Sequence, residues 1–60
     1  MKPLPETLLT LRDVARYLQV SEKTVRRWVA QGRLPCLRLG RALRFEPGDV
    51  FRWVSARKEV

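Results

Sequence analysis

Apolar side chains recur at helical spacing in three separate stretches of this sixty-residue chain. Leu11, Val14, Ala15 and Leu18 stand at i, i+3, i+4 and i+7, which places them on one face of a first helix. Thr10 precedes the stretch as an N-cap, and Asp13 takes the capping-box position with a shorter side chain than the usual Glu. Leu9 and Val14 flank that cap at the staple positions. A second helix repeats the plan: Ser21 caps, Val20 and Val25 staple, and Glu22 sits at the positive end of the helix dipole. Val25, Trp28 and Val29 form its apolar stripe, and Gly32 ends it in the position after the C-cap. A third helix starts at Pro47, whose fixed φ suits the first helical position, with Asp49 in its first turn. Phe45 and Val50 staple this helix, while Val50, Trp53 and Val54 face inward.

Between the second and third helices the period changes to alternation. Leu37, Leu39, Leu43 and Phe45 alternate with Arg38 and Arg44, and Gly40 marks a turn, which predicts a β-hairpin over 37–45. A two-residue tip at Gly40-Arg41 would pair Leu37 with Arg44 and mix apolar and charged side chains on one face. A three-residue tip pairs Leu39 with Leu43, Leu37 with Phe45 and Arg38 with Arg44, and collects every apolar residue on one side. Burial therefore favours the second register. It also sets two arginines opposite each other, a repulsion that an anion on the outer face would relieve.

The junction of the first two helices, from Val14 to Trp28, carries the most specific spacing. Ala15 supplies the small residue needed where two short helices cross, and Val20 supplies an apolar plug for the turn. Val25 and Trp28 follow the alanine by ten and thirteen positions, as in a helix-turn-helix whose second helix enters the major groove. Gln19 occupies the turn position where glycine is common, so a left-handed backbone there is strained.

Sixty residues form one domain, spanning 1–60 with an ordered core at about 8–57, and a chain this short buries only about 60% of its unfolded surface. Its single cysteine forms no internal disulfide, and without histidine there is no zinc site to expect, nor any cofactor. No apolar run nears the roughly 20 residues of a membrane span, and the N-terminus lacks the apolar core of a signal peptide. These features predict a soluble, cytoplasmic protein with no membrane partner. Net charge sharpens the picture. The chain carries +7, and Lys23, Arg26, Arg27, Arg33, Arg38, Arg41 and Arg44 hold all of it, because no Asp or Glu lies between 23 and 44. A basic stripe of this kind is the electrostatic footprint of nucleic-acid binding. The absence of histidine, of a carboxylate pair in a shared motif and of a glycine-rich phosphate loop argues against an enzyme. Cys36, following Pro35 in a connector, reads as an inert packed thiol.

Leu8-Leu9-Thr10, Asp13 to Leu18, Val20 to Val25, Gln31-Gly32-Arg33-Leu34-Pro35, Arg44-Phe45 and Asp49-Val50 with Trp53 together resemble the excisionase-type winged helix-turn-helix domains, relatives of the MerR-type DNA-binding head. The likeness covers residues 8–57. It implies a mainly α fold of three short helices with a β-hairpin wing: a helix-turn-helix at about 11–31, a recognition helix at 21–31, a wing at 37–45 and a C-terminal helix at 47–57. That family includes recombination directionality factors, small transcription regulators, heads of transposon recombinases and phage packaging domains. MerR-type regulators add a dimerising helix and an effector domain, neither of which is found here, so effector sensing is not expected.

The candidate DNA contacts are Ser21, Glu22, Lys23, Thr24, Arg26 and Arg27 on the recognition helix, with Arg33, Arg38, Arg41 and Arg44 on the wing and its flanks. Arginine forks onto guanine or phosphate; Glu22 serves the dipole or accepts from cytosine; Thr24 suits a phosphate. Arg41 at the wing tip is the minor-groove candidate. Helical spacing turns Trp28 and Trp53 inward, which disfavours base stacking on single strands, while Tyr17 is open between core edge and phosphate contact. A helix and a wing cover about one turn of duplex, and base contacts of about 1–3 kcal/mol each do not single out one genomic site. The expected partner is double-stranded DNA in the nucleoid, with specificity completed by tandem copies, a dimer or a recombinase. An excisionase-like accessory role is favoured over a small transcription regulator, a packaging domain or a protein-interaction module.

Overall fold

In the computed structural model, which describes residues 7–58, the chain runs β1 (Leu9–Thr10), α1 (Leu11–Leu18), α2 (Glu22–Ala30), β2 (Leu37–Leu39), β3 (Ala42–Phe45) and α3 (Pro47–Ala56). Helices begin where the caps predict. The Asp13 N–H donates to the Thr10 hydroxyl at 3.0 Å, and the Thr10 N–H donates to the Asp13 carboxylate at 2.9 Å, closing the capping box. These bonds to Thr10, the backbone N–H foremost, hold the Asp13 carboxyl below its ordinary range, with Arg16 and Arg44 adding weaker positive fields. The Thr24 N–H donates to the Ser21 hydroxyl at 3.1 Å to open α2. Glu46 precedes α3 without a side-chain cap bond, so that start rests on Pro47 and on the Phe45–Val50 staple, both residues being buried.

Both helices of the turn end in the same paired bonds. After α2, Gly32 at φ 71 donates to the Val29 carbonyl at 3.0 Å and Arg33 to the Trp28 carbonyl at 2.9 Å. After α1, Gln19 at φ 57 and ψ 44 donates to Arg16 at 3.2 Å and Val20 to Ala15 at 3.0 Å. The two sites are Schellman motifs, one with the glycine this geometry favours and one without. A left-handed residue bearing a Cβ costs about 1–2 kcal/mol, partly offset by the freedom that glycine adds to the unfolded chain. Gln19→Gly should therefore raise stability by roughly 0.5–1 kcal/mol, a Tm increase of about 3–6 °C in a thermal scan. A lower Tm would show that the turn depends on the glutamine side chain.

The sheet has three strands in the order β1-β3-β2, both pairs antiparallel. β1 pairs Leu9 with Phe45 and Thr10 with Arg44, so the residues expected only to staple and cap α1 also form a strand. The hairpin register differs from the expected one. Leu37 pairs with Arg44, Arg38 with Leu43 and Leu39 with Ala42, leaving a two-residue tip at Gly40-Arg41. Burial does not set this register, because only β3 lies over the core. Phe45 is fully buried and Leu43 half-buried, whereas all three residues of β2 are exposed. Turn chemistry decides instead. Gly40 has φ 65 at the first tip position, and a glycine followed by an ordinary residue meets the demand of a type II′ hairpin turn. Arg38 and Arg44 therefore occupy opposite faces, and the cross-strand repulsion inferred between them is absent.

The core consists of Leu11, Val14, Ala15, Val25, Leu34, Phe45 and Val50, drawn from all three helices, β3 and the connector after α2. Leu34 was not anticipated. Trp28 and Trp53 pack at the margin, partly buried, with ring centroids 5.0 Å apart and planes tilted by 41°. Their inward placement is as expected, but they join α2 to α3 at the edge of the core, outside its centre. No helix among the described residues is long and apolar enough to cross a membrane.

Candidate nucleic-acid interface

Helical spacing around the buried Val25 fixes what α2 presents. Lys23 and Arg27, one turn apart, lie on the side opposite that valine, and both are exposed. Glu22 and Arg26, also one turn apart and exposed, lie on the flank that faces the wing. Ser21 and Thr24 are committed to the helix start: beyond the cap bond, their hydroxyl oxygens lie 2.9 Å apart.

The wing meets that flank of α2 across a cleft of about 260 Å³. Arg26 and Glu22 line it from α2, Arg41 and Arg44 from the wing, and Thr10 and Arg12 from the start of α1. Arg44 is half-buried and donates to the carbonyl of Leu43 at 2.8 Å, which holds its guanidinium in place. Arg41, at the tip, is exposed. The one ion pair among the described residues joins Arg52 to Asp49 on α3, so none of the four arginines around the cleft has a carboxylate within bridging distance. Four arginines and one carboxylate, Glu22, among the lining residues give the cleft a net positive charge that favours an anion.

The structure thus brings together Glu22, Arg26, Arg41 and Arg44 at the cleft, whereas Ser21, Lys23, Thr24 and Arg27 of the same helix start and face, and Arg33 and Arg38 beyond it, do not line it. Arg33 is exposed beyond α2, 3.5 Å from the Gln31 side-chain oxygen, and Arg38 is exposed on β2. Arg12 is the residue that sequence reading missed, because it was counted among charges that cancel. A signal was present: Arg12 sits in the first turn of α1, where a cation opposes the helix dipole. A residue placed against its local electrostatics marks a site that another charge must complete.

Comparison with known proteins gives a family and relatives for the chain. The family described as helix-turn-helix domain matches residues 8–58. Over 57 residues the chain is 45% identical to the transcriptional repressor DcmR of Methylorubrum extorquens, an alignment that covers 92% of this chain and 22% of the repressor. Over 42 residues it is 48% identical to the excisionase of Mycobacterium phage D29, covering 68% of this chain and 75% of that protein. The chain therefore spans about a fifth of the repressor's length and three quarters of the excisionase's. No solved structure matches it.

Proposed function

The chain belongs to the helix-turn-helix domain family, of the excisionase type, and on that premise we propose that it binds double-stranded DNA sequence-specifically, without chemistry of its own, as an excisionase-like accessory or architectural factor in site-specific recombination. The observation that carries this reading is the cleft where Arg12, Arg26, Arg41 and Arg44 converge from α1, α2 and the wing. In the docked complex α2 lies in the major groove with Arg26 and Arg27 toward base edges, Arg41 enters the adjacent minor groove, and Arg12 and Arg44 hold the phosphates between them. Lys23 and Thr24 extend the phosphate contacts along α2, while Arg33 and Arg38 contribute to the longer-range field. Specificity beyond one turn of duplex comes from neighbouring copies, a dimer or a recombinase.

The test is the salt dependence of duplex binding. Neutralising about four to six phosphates gives a slope of log affinity against log salt near −4 to −5, and a slope shallower than about −2 sinks the reading. A second role, small transcription regulator, is favoured by the repressor match across nearly the whole chain. Gel mobility of circularly permuted duplexes separates the two roles, since an architectural factor bends its site and a simple operator binder need not.

A further inference from the structure

On the other flank of α1 from Arg12, two adjoining apolar hollows of about 550 and 320 Å³ share Tyr17 and Phe51 as a common wall. Tyr17 is 62% and Phe51 65% exposed, a large apolar outlay for so small a domain. Neither ring is used by the DNA-facing cleft, which draws on Arg12 from the opposite side of the helix. The larger hollow is lined by Leu18, Trp28, Trp53 and Val54 together with two cations, Arg57 and Lys58. Arg57 is held there: its guanidinium stacks 4.0 Å from the Trp53 ring centroid and donates to the Trp53 carbonyl at 3.1 Å. Among the described residues that line the two hollows, Asp13 alone carries a negative charge.

We propose that this α1–α3 groove is a docking site for an acidic amphipathic segment of a partner protein, engaged while the opposite flank of α1 holds DNA. Exposed aromatics over an apolar floor take leucine or phenylalanine anchors from such a segment, and Arg57 and Lys58 meet its carboxylates. A second copy fits poorly, because the same face of that copy brings its own Arg57 and Lys58 to a basic rim. Single-stranded nucleic acid fits less well too: the lining carries only two cations among its described residues, Arg57 and Lys58, where a backbone would require a run of them.

The probe is a synthetic tryptophan-free peptide with Leu and Phe at i, i+3, i+4 and i+7 and Glu on its other face, beside a twin in which Lys replaces Glu. Emission of Trp28 and Trp53 reports binding to the protein alone and then with duplex added, so the groove stands or falls independently of the DNA reading. The acidic peptide should bind and its lysine twin should not. Phe51→Ser and Tyr17→Ser, both at exposed positions, should each weaken peptide binding about tenfold or more, and Phe51→Ser should leave duplex affinity unchanged. Added duplex should not displace the peptide. The proposal is overturned by equal binding of both peptides, by indifference to both substitutions, or by displacement with duplex, which would put the peptide in the DNA cleft. Two further results overturn it: Phe51-dependent binding of an oligothymidine tighter than the peptide, and Phe51-dependent self-association of the protein in sedimentation.

Discussion

Phe45→Ala leaves the domain unfolded at room temperature. Phe45 is fully buried, lies on the central strand opposite Leu9, and staples the start of α3 against Val50. Truncating an aromatic in such a position costs about 3–5 kcal/mol, and a core of this size supplies little more than about 3–5 kcal/mol in total. Circular dichroism without DNA should show loss of the helical signal and of the cooperative melt. Phe51→Ala on α3, at a ring 65% exposed, should stay within about 0.5 kcal/mol of the parent. Trp28→Ala should fall between the two, since that ring is only partly buried at the core margin. A Phe45→Ala protein that melts near the parent temperature would mean that the sheet, helices and core are not joined through this residue.

The second large effect separates readout from grip. Arg26→Ala should lower affinity for the preferred duplex by about 1–3 kcal/mol and relax the preference at a defined base position, because the proposed complex puts that side chain of α2 toward base edges. Arg41→Ala should weaken binding more evenly, with any lost preference confined to flanking A·T-rich positions, where the minor groove is read by shape. Arg12→Ala should act as a phosphate contact does, lowering affinity across all sequences and making the salt slope shallower by about one. Selection from randomised duplexes with each variant checks all three. A central motif scrambled by Arg41→Ala but kept by Arg26→Ala would make the wing the reader and defeat this docking arrangement.

The helices were legible because local rules act in concert there: caps at Thr10 and Ser21, the proline at 47 and the staples all agree with the apolar period, and the caps and the proline are found in place. The left-handed Gln19 was legible as well, since helix-turn-helix spacing fixes where the chain must reverse. The sheet was less so. A two-residue strand such as β1 is too short to show any period, and its partner lies more than thirty residues away. The hairpin register was misjudged because alternation was taken to mean that one face of both strands is buried. β2 is an exposed edge, so its leucines carry no register information, and the glycine at the tip was the better guide. The candidate site was legible in kind but not in membership. Charge clustering located α2 and the wing, whereas Arg12 joins them only once β1 brings the start of α1 beside β3.

Thr10 performs two tasks at one position: it caps α1, and it pairs across the sheet with Arg44 of the wing. The wing is thus moored to the segment leading into the first helix, while its own hairpin tip projects freely. Mechanical load arriving from upstream of Leu9, through a fused domain or a tethered neighbour, would pass through Thr10 to the wing as well as to α1. In the proposed complex, an attachment at this end would therefore act on the wing's minor-groove contact as well as on the helix pair, and so on how tightly the domain holds DNA.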